Sequence, residues 1–225
     1  DGRWIAGGSY SYDTNGRSDV GAVYIWRWED SGGGEYMYHQ TVVPDEEDAL
    51  AVTTYYLAMG EVAISYNGSL LCAGSPYDST NGVDAGVVLV WRQNATYMYE
   101  VVQKLYSPDA AHSRMLAQSG CAMSADGSTI SAGSAYLDGA GKREAGVMYV
   151  WKWQEEGGGG GGGNTVARYE LHQTLTPLES AVVINAYGLG SSPPFLSFDG
   201  SHLAGAAVND KEKGSSSGAV YVWYK

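Results

Sequence analysis

The sequence predicts an all-β fold, a β-propeller region built of four-stranded antiparallel blades, and three observations carry that prediction. The first is composition. In 225 residues, 32 glycines, 18 tyrosines and 7 tryptophans stand against 2 phenylalanines and 6 prolines, a balance of turn formers and large strand-favouring aromatics. The second is a repeat opening on an Asp/Asn-Gly dipeptide, at Asp1-Gly2, Asn67-Gly68, Asp126-Gly127 and Asp199-Gly200, at intervals of 66, 59 and 73 residues. The third is a fixed spacing inside every copy: Asp13 lies eight residues before Gly21, as Asp78 does before Gly86, Asp138 before Gly146 and Asp210 before Gly218.

Each element of the unit follows from its residues. An Asp/Asn-Gly pair between apolar runs signals a hairpin, because it tolerates the positive φ of a type I′ turn. A short first strand is predicted before the turn, over 62–65, 121–124 and 195–197. The second strand follows it and ends in small residues such as Ala73-Gly74-Ser75 and Ala132-Gly133-Ser134, which suit crowded strands near the centre of a propeller. After a polar loop, Gly21, Gly86, Gly146 and Gly218 open a third strand that closes on Trp26, Trp91, Trp151 and Trp223. Its apolar residues are consecutive, as in strands covered on both faces. The fourth strand carries Gln40, Gln103 or Gln173 and is followed by Pro44, Pro108 or Pro177. Four antiparallel strands in such a unit match a large propeller blade.

The chain is thus a single region over 1–225 with units 1–67, 68–126, 127–199 and a partial 200–225, or about 3.5 blades. Residue 1 falls inside a turn and residue 225 just after a third strand, predicting 3+4+4+3 strands. The reading is an excerpt of a larger propeller, with a closed four-bladed ring as the alternative.

These runs, above all Gly21-Ala22-Val23-Tyr24-Ile25-Trp26, Gly218-Ala219-Val220-Tyr221-Val222-Trp223, Gly74-Ser75-Pro76 and Asp126-Gly127, resemble the FG-GAP, or integrin-α-like, β-propeller repeat family. The resemblance covers nearly the whole chain and implies that it is part of a seven-bladed ring. Two features depart from it. The Phe-Gly pair is replaced by Ala58-Met59, Ala117-Gln118 and Gly190-Ser191, and no copy carries the Asp-x-Asp-x-Asp-Gly calcium loop of many members.

The formal charge of −12 opposes binding to nucleic acid and to anionic membrane surfaces, both of which need clustered cations. No apolar run approaches the ~20 residues of a membrane-crossing helix. Cys72 and Cys121, the only cysteines, lack zinc or redox spacing. They read as buried small hydrophobes, or alternatively as a disulfide between adjacent inner strands. Asn67-Gly68-Ser69 and Asn94-Ala95-Thr96 are glycosylation sequons at expected turns, which favours an extracellular or cell-surface setting.

Oxygen-bearing side chains recur in the loop after the second strand: Asp13, Asn15 and Asp19 in the first copy, Asp78, Asn81 and Asp84 in the second. They could ligate calcium, a cation that takes six to eight oxygens. The bland reading is an aspartate that caps a turn, and the later copies, Asp138 with Glu144 and Asp210 with Ser216, carry fewer ligands. Asp45-Glu46-Glu47-Asp48 reads as a solvated connector, and the glycines from Gly157 to Gly163 as a flexible excursion. His39 and His172 share one repeat position, which points to packing, and His112 and His202 complete no metal spacing with them. No nucleophile elbow is present. Trp28, Trp153, Tyr36, Tyr38, Tyr97 and Tyr99 read as exposed aromatics able to stack on sugars or form an interface. The expected function is therefore non-enzymatic: assembly, adhesion or scaffolding with other proteins or copies of itself. Glycan binding is the alternative, and an enzyme built around a propeller tunnel is the third reading.

Overall fold

The computed structural model describes residues 1–14, 16–44, 55–108, 115–137, 145–155, 167–177, 188–211, 214 and 217–225. These residues form four antiparallel sheets, and the only helical element among them is a single 3-10 turn at Ser31–Gly33. Sheet one holds β1 (Trp4–Ser9), β2 (Ala22–Glu29) and β3 (Glu35–Val42); sheet two holds β4 (Ala63–Ile64), β5 (Leu70–Ser75), β6 (Val87–Gln93) and β7 (Tyr99–Tyr106). Sheet three holds β8 (Cys121–Met123), β9 (Thr129–Ser134), β10 (Val147–Gln154) and β11 (Arg168–Leu175); sheet four holds β12 (Phe195–Leu196), β13 (His202–Ala207) and β14 (Ala219–Tyr224). In each, strands neighbour one another in chain order, so every sheet is a meander and the strand count is 3, 4, 4 and 3.

The hairpin between the first and second strands differs from the expected type I′ turn. Gly68, Gly127 and Gly200 have φ of 75°, 74° and 64°, whereas Asn67, Asp126 and Asp199 stay out of the left-handed region. The Asx side chain instead accepts from the backbone two residues on: Ser69 N, Ser128 N and Ser201 N donate to Asn67, Asp126 and Asp199 Oδ1 at 3.0, 2.9 and 3.0 Å. The glycine N–H closes the loop on Ser65, Ser124 or Ser197 O. One left-handed residue suffices once the side chain supplies the second acceptor. The serine hydroxyls of Ser124 and Ser197 also donate to Asp126 and Asp199 at 2.6 and 2.7 Å. Led by those bonds, both carboxyls are held below the usual carboxylate range.

The sign of the consequence is fixed by that direction. A depressed folded-state pKa contributes stability above the unfolded value, near 3.9, which is lost as pH falls through the folded one. Asp126→Asn keeps the acceptor oxygen, as Asn67 does naturally, but removes the titration. Its melting temperature is expected to fall less steeply than that of the wild-type chain below about pH 4, read by circular dichroism. Parallel curves would show that Asp126 titrates as it does unfolded.

Consecutive sheets share their cores. Val23, Ile25 and Val42 of sheet one pack with Leu71, Leu89 and Trp91 of sheet two; Leu70, Cys72, Val88 and Val90 pack with Ile130, Ala132 and Tyr149 of sheet three; Met148, Val150 and Leu175 pack with Leu203, Tyr221 and Trp223 of sheet four. The small residues of the second strands sit where the chain enters the next sheet. A Cβ on Gly8 would lie 2.6 Å from Ala58 Cβ, one on Gly74 2.6 Å from Ala117 Cβ, and one on Gly133 2.5 Å from Gly190 Cα. At the same junctions Gly21, Gly86 and Gly146 form single parallel bridges to Leu57, Leu116 and Leu189, and all three leucines are fully buried. The residues after those leucines, Ala58 (φ 59°), Ala117 (φ 60°) and Gly190 (φ 90°), are all left-handed.

Candidate functional site

In the loops expected to offer calcium ligands, Asp13 and Asp78 each give one carboxylate oxygen to a backbone amide. Asp13 Oδ1 accepts from Asp19 N at 2.8 Å, and Asp19 itself is left-handed with φ 56°. Asp78 is buried and its Oδ1 accepts from Thr80 N at 2.9 Å, while its carbonyl takes Gly86 N at 3.0 Å. Asn81 donates its amide to Ser107 O at 3.2 Å, and Asp84 N bonds Ser79 Oγ at 3.0 Å. Asn15, Asp138, Glu144 and Ser216 lie outside the described residues, as do His112, Asp45-Glu46-Glu47-Asp48 and the glycines from Gly157 to Gly163. Among the described residues no three His, Cys, Asp or Glu side chains converge as metal ligands would. Asp210 is buried against sheet four, where Tyr221 Oη donates to its Oδ2 at 2.9 Å.

The two sequon asparagines also shape turns. Asn94 Oδ1 accepts from Thr96 N and Thr96 Oγ1 at 2.9 and 2.7 Å, and Nδ2 donates to Glu100 Oε1 at 2.7 Å. Asn67 is exposed beside its Ser69 hydroxyl, which donates to it at 2.7 Å. Cys72 and Cys121 are free thiols in one core cluster; burial pushes the Cys72 thiol well up, with Cys121 beside it adding to the rise.

The aromatics divide by position. Tyr36, Tyr38 and Tyr97 are exposed, Trp28 and Trp153 are half-buried, and Tyr99, expected at the surface, is only 3% exposed. Its burial has a cause that repeats. Tyr99 Oη donates to Gly68 O, the carbonyl of the turn glycine in its own sheet; Tyr169 does the same to Gly127 O and Tyr36 to Gly2 O. Removal from water pushes both the Tyr99 and Tyr169 phenols up.

A second repeated device holds the same tyrosines from the preceding sheet. Gln40 Oε1 accepts from Tyr99 N at 2.7 Å and its Nε2 donates to Tyr99 O at 3.1 Å. Gln103 grips Tyr169 in the same way, at 2.7 Å in both directions. A carboxamide carries one acceptor and two donors in a plane, so it can pair with both backbone groups of one residue as a neighbouring strand would. Every fourth strand therefore carries Tyr-x-x-x-Gln, at Tyr36 to Gln40, Tyr99 to Gln103 and Tyr169 to Gln173. The tyrosine completes its own sheet and the glutamine reaches for the next. The glutamine is legible in the sequence as a repeat mark; its partner, about one repeat further along, is not.

Gln173 is where the series changes. It is exposed, whereas Gln40 and Gln103 are half-buried, and the sheet it faces shows three strands among the described residues. A cavity of about 180 Å³ lies there, lined in part by Gln173, Leu175, Leu196, Gly200, Leu203 and Trp223. Compared with protein-family models and with curated proteins, the chain matches none.

Proposed function

We propose that the chain is a non-enzymatic β-propeller module, extracellular or at the cell surface, that works in protein–protein assembly with other proteins or with copies of itself. The observation that carries this reading is the pair of open sheet faces. On sheet one, Ile5, Tyr24 and Trp26 stand where Leu71, Leu89 and Trp91 stand in sheet two, yet no described sheet covers them and Ile5 is 43% exposed. On sheet four, Val220 and Val222 stand where Val88 and Val90 are fully buried, and they are 71% and 61% exposed. One open face is of the kind that meets a preceding sheet and the other of the kind that meets a following one, so each can take a further sheet of the same repeat. Large exposed apolar patches of this type mark association surfaces.

Further support for the propeller reading comes from the junctions. A buried Leu followed by a left-handed residue is what the residue types of a Phe-Gly pair would supply; Leu57-Ala58, Leu116-Ala117 and Leu189-Gly190 supply it, one residue earlier than the Ala58-Met59, Ala117-Gln118 and Gly190-Ser191 expected from the sequence. The sequons favour the extracellular setting. Sedimentation velocity over a range of concentrations tests the assembly reading: self-association, or retrieval of a partner from the native surface, is expected, and both should be lost when Val220 and Val222 are replaced together by Glu. A strictly monomeric chain that retrieves nothing would end it.

A second reading has its own observation. Tyr38 and Tyr97 are exposed, and the Arg27 guanidinium lies 4.9 Å from the Tyr97 ring, fixing an aromatic surface that could stack on a sugar. A glycan array without hits would remove it.

A further inference from the structure

We propose that Cys72 and Cys121 form a disulfide site: when the chain folds in the presence of a disulfide donor, the two thiols join into a bond that staples sheet two to sheet three. The site lies inside the array, and it stands whether or not the chain assembles with a partner.

Placement carries the proposal. Cys72 lies in β5 and Cys121 opens β8, so the pair belongs to consecutive sheets. Cys72 pairs with Ala63 of β4. Two residues before Ala63, Glu61 bridges Gly120, and its carbonyl accepts from the Cys121 amide at 3.3 Å. The first strand of sheet three is thereby held against the strand that Cys72 itself pairs with. β5 and β8 bring Cα atoms within 8 Å of each other, and a disulfide needs its own two within about 7 Å. Both side chains sit in one core cluster, 0% and 2% exposed, and the two thiols interact directly. Among the described residues no third His, Cys, Asp or Glu joins them as a metal site would need.

The repeat shows what packing alone requires here. Cys72 faces Val90 across β5 and β6 as Ala6 faces Ile25 across β1 and β2. Cys121 stands three residues before Ser124, whose amide donates to Thr129 O, as Val62 stands three before Ser65, whose amide donates to Leu70 O. The junction of sheets one and two thus has Ala6 and Val62, in one core cluster, where the next junction has Cys72 and Cys121. An apolar pair suffices to fill the place. The chain has 2 cysteines in 225 residues, and they stand on the two sides of one contact.

The chemistry is thiol–disulfide exchange. One cysteine thiolate attacks a sulfur of the donor, here oxidised glutathione, and expels a glutathione thiolate. The second cysteine thiolate attacks the protein sulfur of that mixed disulfide and expels the other. Two electrons pass to the donor, which leaves as two glutathione thiols, and the protein loses two hydrogen atoms. Burial keeps the donor from both thiols in the folded chain, so the bond is made as the two sheets dock and is afterwards shielded from reductant.

The test refolds the denatured, reduced chain in a glutathione redox buffer and, in parallel, in reductant alone. Expected in the first is a product lighter by two hydrogen atoms, with the Cys72 and Cys121 peptides linked within one chain in a nonreducing digest. It should melt about 5–15 °C above the reduced product, because the bond closes a long loop. Cys72→Ala combined with Cys121→Val gives this junction the residues of the one before it. That variant is expected to fold in both buffers with equal melts. Two free thiols after oxidative refolding, glutathione adducts or links between chains in place of the internal bond, or a bridged product melting no higher than the reduced one would each overturn the proposal. So would a redox-dependent melt in the double variant.

Discussion

Gly86→Ala should cost about 2–5 kcal/mol and leave the chain largely unfolded under mild denaturant. Gly86 sits at φ 78° in the bridge to Leu116, and a Cβ there would lie 2.5 Å from Leu116 N and 2.6 Å from Leu116 O. Backbone atoms cannot rotate aside as a side-chain tip can, so relief requires the two sheets to separate at their junction. Two costs add: left-handed backbone for a residue with a Cβ, about 1–2 kcal/mol, and the collision itself, about 1–3 kcal/mol. Gly16→Ala separates them, because Gly16 has nearly the same φ, 73°, with nothing within 4 Å of its Cβ position. Urea unfolding followed by fluorescence should therefore place Gly16→Ala about 1–2 kcal/mol below wild type, from the backbone cost alone, and Gly86→Ala further below it. Equal losses would mean that the junction yields more easily than its geometry implies.

Trp91→Ala should be comparably damaging, and Trp26→Ala, its repeat equivalent, much less so. Trp91 is 1% exposed between sheets one and two, packed with Leu71 and Leu89. Removing a buried tryptophan forfeits its transfer free energy and leaves a cavity, together about 3–5 kcal/mol. Trp26 holds the same place on an open face, half-buried, with its ring 6.0 Å from that of Tyr24. Much of its surface is already wet, so its loss should cost about 1–2 kcal/mol. Denaturant midpoints for the two variants read the difference directly. A partner seated on the face of sheet one would raise the cost of Trp26→Ala toward that of Trp91→Ala, tying stability to the proposed assembly.

Local chemistry explains what could be read in advance. The Asx-Gly hairpins, the small-residue second strands and the Trp-ending third strands are fixed by neighbours in sequence, and the four meanders follow from them. Turn type differs from type I′ because Asn67, Asp126 and Asp199 use their side-chain oxygens in place of a second left-handed residue. Tyr99 is buried where the sequence suggests exposure, for a different reason. Its acceptor, Gly68, and its clamp, Gln40, stand 31 and 59 residues away, and no local pattern states that the three meet. A signal did exist, since a tyrosine stands four residues before each repeated glutamine, but its meaning required knowing that one sheet reaches for the next. The acidic loops carry oxygens at a repeated spacing, and in two of them one carboxylate oxygen, Asp13 Oδ1 or Asp78 Oδ1, accepts from a backbone amide.

The glutamine clamps also set where the molecule breathes. Each one ties the outer rim of a sheet to the sheet after it, while the leucine bridges tie the inner ends, so a sheet gripped at both rims can open only by loosening two junctions together. Sheet two is held in that way by Gln40 from behind and by its own Gln103 ahead. Sheet four is held through Leu189 and shows no clamped fourth strand among the described residues. Opening free energy then declines outward from the middle of the array, as in linear repeat proteins governed by nearest-neighbour coupling, and amide protons of β5 and β6 outlast those of β13 and β14 in deuterated solvent.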